Sequence, residues 1–321
     1  MLLFLSVVAI DPFNYFDFPA FVPRMIGDTV KEETAGKLHY ALWKVLKFKR
    51  RPVSRIVLGD SRMDSFDMDE IHSSTGQEYF NFAYGGGTLP EAIDTYWIAR
   101  KATHLDAVYL GVGLINFNEF QALNRVADVP PIQENWLLYV SNRLVVYSAM
   151  MAGYAALARE PVKIEQPAAS PDAYWNFVIT SEIPQLLHRY SYPTDIARRL
   201  KEVADDCRSQ GTKLVFVIPP THVDAQIKTR ALGRDGEQQR FKEFLSGLGA
   251  PVIDFDYPSP FTEQRAFWND PFHPLPSRNG MLVKEIWGDG REFSRRVNFG
   301  AGEHADRKVP ASFPGTMGAS R

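Results

Sequence analysis

The fold is decided by residues 54–66, which read SRIVLGDSRMDSF. Ile56, Val57 and Leu58 form a short apolar run that is typical of a buried parallel strand, and Gly59 ends the run at a tight turn. Ser61 then begins a stretch that can form a helix. Unpaired N–H groups in the first turn of a helix favour a developing anion, so the pattern predicts that Ser61 is a nucleophile. The alternative is a turn followed by an ordinary helix N-cap.

A second segment, far downstream, favours the nucleophile over the cap. Residues 269–274 read NDPFHP, so Asp270 stands three residues before His273 in a loop bounded by proline. A short loop of this kind can supply both a general base and the carboxylate that orients it. We therefore predict a catalytic triad of Ser61, His273 and Asp270.

A glycine run provides a candidate oxyanion hole. A short strand-like stretch, residues 78–83, leads into Tyr84 and then Gly85, Gly86 and Gly87. Consecutive glycines let the backbone approach a reacting group closely and aim N–H groups at it. The amides of Ser61 and Gly86 are the predicted donors. Without the serine and the histidine, a flexible loop would be the simpler interpretation.

Strand-like and helical patterns alternate along much of the chain. Apolar runs typical of buried strands cover residues 56–58, 107–110, 213–218 and 251–255, and helical periodicity covers residues 34–48, 90–103, 194–210 and 238–248. This alternation predicts an α/β protein with a parallel sheet between two layers of helices. Binding sites in such sheets lie at the carboxyl ends of the strands, where the motif loops fall.

The motifs together resemble those of the SGNH, or GDSL, hydrolase superfamily. The matching pieces are Gly59-Asp60-Ser61, Gly85-Gly86-Gly87 and Asp270-Pro271-Phe272-His273. The resemblance implies a flavodoxin-like three-layer α/β/α fold and catalysis by a serine nucleophile. One block departs from the family pattern, because Gly113 stands where an asparagine is expected after the strand at 107–110. Asn116 and Asn118 are the candidates for that oxyanion donor.

Within the superfamily the chain looks most like exported proteins of bacterial cell-surface polymer acylation, similar to alginate O-acetyltransferases and the D-alanyl-lipoteichoic acid transfer protein. The resemblance implies O-acetylation of an extracytoplasmic polysaccharide, with a membrane-bound O-acyltransferase as the partner that donates the acyl group. A carbohydrate or lipid esterase is the alternative, because the same triad serves both reactions. A non-catalytic scaffold for polymer export is a third reading.

The chain termini and the middle of the chain differ from the rest. Residues 1–10 are almost wholly apolar but too short to cross a bilayer, and we interpret them as the remnant of a signal anchor, with a buried helix or strand as the alternative. This interpretation predicts a periplasmic protein tethered to the inner membrane. Residues 11–50 form an N-terminal helical segment, residues 51–290 the main domain, and residues 291–321 a disordered tail.

The alternation of strands and helices stops between about residues 117 and 192, which predicts a helical insertion that shapes the acyl-acceptor groove. Its most apolar part, residues 136–158, is predicted to be a buried or lid-forming helix rather than a membrane-associated one. His222 follows the strand at 213–218 and could border the site, although a simple loop position is the ordinary reading.

Composition excludes several classes of function. The formal net charge of −2 provides no field for nucleic acid. The basic cluster from Lys44 to Arg51 is interpreted as the solvated end of a helix, with a phosphate or lipid-headgroup site as the alternative. The single cysteine, Cys207, is predicted to be a packed side chain. None of the histidine spacings suggests a metal site, so we predict neither a metal nor a cofactor.

Overall fold

The structure is a computed structural model that describes residues 2–16, 26–158 and 170–298. Its strands are β1 (Arg55–Leu58), β2 (Phe80–Asn81), β3 (Ala107–Gly111), β4 (Lys213–Ile218), β5 (Val252–Asp254) and β6 (Arg295–Val297). They form a sheet in the order β2-β1-β3-β4-β5-β6, in which β1 to β5 are parallel and β6 is antiparallel to β5. This is the flavodoxin-like order, so the predicted fold class is confirmed.

The helices before β4 are α1 (Leu2–Ile10), α2 (Asp28–Lys31), α3 (Tyr40–Arg50), α4 (Ser61–Asp64), α5 (Met68–Thr75), α6 (Leu89–Ala102), α7 (Val129–Glu134), α8 (Trp136–Ser141), α9 (Arg143–Ala158), α10 (Pro171–Phe177), α11 (Ile183–Leu187) and α12 (Thr194–Gln210). After β4 come α13 (Val223–Ala231), α14 (Asp235–Gly247) and α15 (Asn279–Ile286). Segments Glu32–Gly36 and Val178–Glu182 are π-helical, and Arg265–Phe267 and Pro276–Arg278 are 3-10 turns.

The sheet separates two hydrophobic cores because side chains alternate between the faces of a strand. On one face Ile56, Leu58 and Phe216 pack with apolar residues of α3, α6, α12 and α14. On the other face Val57, Tyr109 and Val217 pack with residues of α5 and α15. The strands are buried on both sides, which explains why their sequences read as continuous apolar runs.

Two local expectations were wrong. Residues 295–297 were assigned to a disordered tail, but they form strand β6, whose backbone pairs with β5. Three polar and β-branched residues at a sheet edge provide too weak a pattern to be recognised. The tail beyond residue 298 lies outside the described residues. The predicted helix over residues 34–48 is also interrupted, because His39 has a non-helical backbone and its Nδ1 accepts a hydrogen bond from the Leu42 amide as the N-cap of α3.

The insertion and the N-terminal segment pack together. Between β3 and β4 the described chain is helical, from α7 to α11. Helix α1 contacts α8 and α9 and buries Val7, and a β-carbon on Gly153 of α9 would lie 3.2 Å from Cδ1 of Ile10. Among the described residues, no helix has both the length and the apolar character needed to cross a bilayer. The predicted anchor remnant is therefore seen as a short helix that packs on the insertion.

Candidate active site

The structure brings the three predicted triad residues together. Ser61 Oγ lies 2.8 Å from His273 Nε2, although 212 positions separate them in the chain. His273 Nδ1 lies 3.0 Å and 2.9 Å from the two carboxylate oxygens of Asp270. Ser61 follows β1, and the loop that carries Asp270 and His273 follows β5. The triad therefore lies at the carboxyl edge of the sheet, close to the point where the strand order reverses between β1 and β3.

The Asp270 carboxylate is fixed before it contacts the histidine ring. Oδ1 accepts hydrogen bonds from the backbone amides of Phe272 at 2.8 Å and His273 at 3.0 Å. Burial alone would raise the pKa of the Asp270 carboxyl, but the hydrogen bond and charge of His273, with these amides, outweigh burial and lower the pKa. An ionised carboxylate can only accept hydrogen bonds. His273 Nδ1 must therefore carry the proton, which leaves Nε2 free to accept from Ser61 Oγ.

The turn before the nucleophile is stabilised by a buried ion pair that the sequence analysis did not anticipate. Asp60 caps α4 by accepting from the Arg62 amide, and the Arg62 guanidinium pairs with the same carboxylate at 2.6 Å. Burial would raise the pKa of the Asp60 carboxyl, but Arg62 outweighs it and lowers that pKa. Both side chains are nearly buried. The helix after Ser61 is only one turn long, so this ion pair, rather than a long helix, fixes the nucleophile.

The glycine loop lies against the nucleophile turn. The Tyr84 amide donates to the Gly59 carbonyl at 3.0 Å, and a β-carbon on Gly87 would lie 2.8 Å from the same carbonyl oxygen. Gly86 has φ +59°, in the left-handed region that favours glycine. Glycine at 87 therefore allows the two loops to approach this closely, and glycine at 86 allows the left-handed turn.

A second buried ion pair orients the Gly86 peptide. Arg125 pairs with the buried Glu91 at 2.6 Å, and its guanidinium donates to the Gly85 carbonyl at 3.2 Å. In a trans peptide the C=O and the following N–H point in opposite directions, so the Gly86 N–H points away from Arg125. Within the described chain, neither the Gly86 amide nor the Ser61 amide donates a hydrogen bond to another residue. Both predicted backbone donors are therefore available to an oxyanion.

The two asparagine candidates have other tasks. Asn116 Nδ2 donates to the Gly87 carbonyl at 3.0 Å, and its Oδ1 accepts from Arg62 Nη2 at 3.0 Å. Asn118 is buried, donates to the Leu186 carbonyl at 3.2 Å and accepts from the Ser191 amide at 3.2 Å, so it holds the insertion in place. The structure therefore gives Asn118 a structural role, contrary to the expectation that it serves the oxyanion hole.

Arg62 occupies the space beside Gly113. A β-carbon at residue 113 would lie 2.8 Å from Arg62 Nη2 and 3.3 Å from Nη1. Because Arg62 also contacts Asp60 and Asn116, and Asn116 contacts Gly87, one chain of hydrogen bonds joins the nucleophile turn to the glycine loop. The sequence contains one signal for this arrangement, a glycine at 113 together with an arginine directly after the serine.

The insertion reaches the triad through the π-helical segment Val178–Glu182. Burial raises the pKa of the Glu182 carboxyl, the charge of Asp270 raises it further, and the charge of His273 opposes this change. Glu182 therefore lies within electrostatic range of the triad. It also lines a groove of about 810 Å³ with Tyr174, Phe177 and Arg189. The predicted lid over residues 136–158 lies elsewhere, on α1, and the segment beside the triad is α10 to α11.

Two further features border the site. A cavity of about 370 Å³ is lined by Arg62, Gly113 and Phe272 together with Thr221 and Lys242. His222 is buried behind the catalytic loop, where its backbone amide donates to the Pro271 carbonyl at 2.9 Å and its Nδ1 caps α13. This histidine supports the loop and does not line the site. Across the described ranges, no group of three or more potential ligands is arranged to hold a metal ion.

The fold and the site define a class: doubly wound α/β proteins that carry a serine–histidine–aspartate arrangement at the switch point of the sheet. No protein-family model matches the chain, and no curated protein matches it. Solved structures that are similar to it include the following two. One is provisionally described as a platelet activating factor from Streptococcus pneumonia, with 9% identity and a TM-score of 0.43 over 80% of this chain and 94% of that one. The other is provisionally described as an acylhydrolase from Bacteroides fragilis, with 12% identity and a TM-score of 0.38 over 73% of this chain and 84% of that one.

Proposed function

We propose that the protein transfers acyl groups through a covalent acyl-serine formed on Ser61, and that its reaction is O-acetylation of an extracytoplasmic polysaccharide. The observation that supports this proposal is the hydrogen-bonded series of Ser61 Oγ, His273 and Asp270. A nucleophile that contacts a base, whose second nitrogen contacts a carboxylate, is the arrangement that acyl transfer requires.

In the first half of the reaction, Ser61 Oγ attacks the carbonyl carbon of the donor ester. Its proton passes to His273 Nε2, and the Asp270 carboxylate stabilises the imidazolium that results. Collapse of the tetrahedral intermediate breaks the bond to the donor oxygen, and His273 returns the proton to that oxygen. The products are an acetyl ester of Ser61 and the free donor alcohol.

The oxyanion of the tetrahedral intermediate is held by the Ser61 and Gly86 amides. Arg62 takes the place of the missing side-chain donor in a different way. Through Asp60 and Asn116 it keeps the nucleophile turn and the glycine loop in a fixed relation. Preorganised donors of this kind cost no reorganisation when the oxyanion forms.

In the second half, a sugar hydroxyl enters, gives its proton to His273 Nε2 and attacks the acyl-serine carbonyl. Collapse of this second tetrahedral intermediate breaks the bond to Ser61 Oγ, which takes the proton back from His273, and the acetylated sugar leaves. The groove lined by Tyr174, Phe177 and Glu182 is the proposed acceptor site, because it is formed by the insertion and reaches electrostatic range of the triad. Aromatic and polar side chains together suit a polysaccharide, whose rings present both apolar faces and hydroxyl edges. The proposed donor partner is a membrane-bound O-acyltransferase, and the proposed location is periplasmic, with a tether to the inner membrane.

One observation favours hydrolysis as a second candidate. The His273 side chain is 34% exposed, so water can reach the nitrogen that would activate it. With water as the acceptor the same steps make the protein a carbohydrate or lipid esterase.

The test is incubation with a chromogenic acetyl ester, with and without an oligosaccharide acceptor, followed by mass spectrometry of the sugar. Acetylated sugar is expected from the native protein and from Ser74→Ala, which removes an exposed serine elsewhere, but not from Ser61→Ala. Release of acetate alone, at a rate that the acceptor does not change, would assign the protein as an esterase. If cells that carry only the Ser61→Ala variant acetylate the polymer at the native level, the protein would be assigned the scaffold role.

A further inference from the structure

One side of helix α9 is apolar and exposed along its whole length. Tyr147, Met150, Tyr154 and Leu157 follow one another at spacings of three and four residues, which places them on one face. All are exposed, and Leu157 is 88% exposed. The opposite face, with Val145, Ala149 and Ala152, is buried against the domain. The inner face of α9 is therefore packed on the domain, while its outer face exposes a stripe of large apolar side chains.

Helices α1 and α8, which contact α9 and each other, extend this surface. Phe4 and Leu5 of α1 and Trp136 and Leu137 of α8 are all about half exposed or more and line a shared apolar groove of about 420 Å³. We call the α9 stripe and these residues together the apolar face. Soluble monomers rarely expose contiguous apolar surface of this kind without a partner.

Charge is distributed around the apolar face and not across it. Helices α1 and α8 contain no charged residue, and α9 contains only Arg143, at its first position. The basic C-terminal end of α3 lies beside α1 and α8. Lys49 Nζ donates to the carbonyl of Gln133, three residues before Trp136, and Arg50 donates to the carbonyl of Asn14, just after α1. Lys49 and Arg143 form no ion pair with the described residues.

We propose that the apolar face docks on the surface of a lipid bilayer with anionic headgroups, with Lys49, Arg50 and Arg143 at its rim. Large apolar side chains partition into the interfacial region, where tyrosine and tryptophan place their polar tips at headgroup level. Cations beside such a surface add attraction to anionic lipid. A second copy of the chain would bring these cations together, which disfavours that occupant. The inference is independent of the chemistry proposed for Ser61.

The experiment is co-sedimentation of the full chain with vesicles of phosphatidylcholine alone or mixed in equal parts with phosphatidylglycerol. Binding to the mixed vesicles is expected, and added salt should weaken it. Met150→Glu and Tyr154→Glu should each reduce binding at least about tenfold. Lys49→Gln should reduce binding about fivefold, and only for the anionic vesicles. The matched control, Ile227→Glu, changes an exposed apolar side chain on α13 and should bind normally.

Each opposing result is distinct. Absence of binding to anionic vesicles, or equal binding by Tyr154→Glu and native protein, would overturn the proposal. Light scattering on the same samples tests the competing occupant, which is a second copy of the chain. A dimer of the native protein that dissociates in Tyr154→Glu would assign the apolar face to that second copy. A native circular dichroism spectrum and an unchanged midpoint of urea unfolding for Tyr154→Glu would show that the variant is folded.

Discussion

The loops at the carboxyl edge of the sheet and the layer formed by α1, α8 and α9 use their side chains in opposite ways. In the loops, charged side chains have defined partners, as in the contacts of Asp60 with Arg62 and of Asp270 with His273. In the helical layer the side chains of the apolar face are large, apolar and exposed. The proposed reaction at the loops depends on the positions of individual atoms. The proposed contact of the helical layer with lipid depends on the exposed apolar area.

Because of this difference, a substitution in one region should leave the function of the other region unchanged. A change of one atom in the loops removes a hydrogen bond that the reaction needs, while the surface of α9 is untouched. A charge introduced on α9 should weaken contact with lipid and leave the distance from Ser61 to His273 unchanged.

The largest effect is expected from His273→Gln. Without an imidazole no group accepts the Ser61 proton, and loss of such a base costs about 10⁶-fold in kcat. Steady-state hydrolysis of a chromogenic acetyl ester measures the loss, and His72→Gln, at an exposed position on α5, is the matched control. Vesicle binding should not change. A loss of less than about tenfold would exclude His273 as the base.

Asp270→Asn should cost about 10⁴-fold in kcat. The amide can no longer enforce the proton on His273 Nδ1, so the ring loses the tautomer that accepts from Ser61. The buried amide is uncharged, so the fold should tolerate it, which circular dichroism checks. Native kcat in this variant would contradict the assigned orientation of the ring.

Loss of the contacts by which Arg62 joins Asp60 to Asn116 should lower kcat by about 10²- to 10³-fold, with little change in KM. Arg62→Met alone leaves Asp60 buried and unpaired, which destabilises a protein by about 3–5 kcal/mol. The informative variant is therefore Asp60→Asn with Arg62→Met, which keeps the cap of α4 and removes both charges. Addition of Gly113→Asn should restore part of kcat, because the side chain then enters the space that Arg62 leaves. Full activity in the double variant would show that these contacts have no catalytic role.

The smallest effect concerns acid stability and arises at His39, the N-cap of α3. Burial, aided by the charge of Arg125, lowers the pKa of His39 to about 4 from its usual 6.5. Because the unfolded chain binds the proton first, stability should fall as the pH drops below 6.5, by roughly 3 kcal/mol in total once it is below about 4. The lowered pKa values of the Asp60 and Asp270 carboxyls keep both of these groups ionised in this window.

His39→Asn tests this prediction. Asparagine also caps helices, so the variant retains a cap for α3 and removes the titrating group. Urea unfolding at several pH values between 6.5 and 4 should then show a flatter profile than the native protein. An unchanged slope would assign the acid sensitivity to another group.

Local patterns were sufficient to predict the sheet and the proximity of Ser61, Asp270 and His273. The apolar runs identify parallel strands because both faces are buried, and Asp270 and His273 are close enough in the chain to be recognised as a pair. Strand order then brings Ser61 to His273, since the carboxyl ends of parallel strands share one edge.

The remainder depends on contacts between distant side chains. The Arg62–Asn116 and Arg125–Glu91 contacts cross 54 and 34 positions and have no periodic signal. Strand β6 is too short and polar to be recognised. The break at His39 depends on one hydrogen bond to a backbone amide. Residues 136–158 read as a buried or lid-forming helix because their composition does not reveal that one face of α9 stays exposed.

Formation of an acyl group on Ser61 can be measured by mass spectrometry of the intact protein after rapid mixing with an excess of acetyl ester. One acetyl group per chain is expected, located on Ser61 by peptide mapping and absent from Ser61→Ala. An acetyl group on another residue, or ester turnover by Ser61→Ala at the native rate, would rule out Ser61 as the nucleophile.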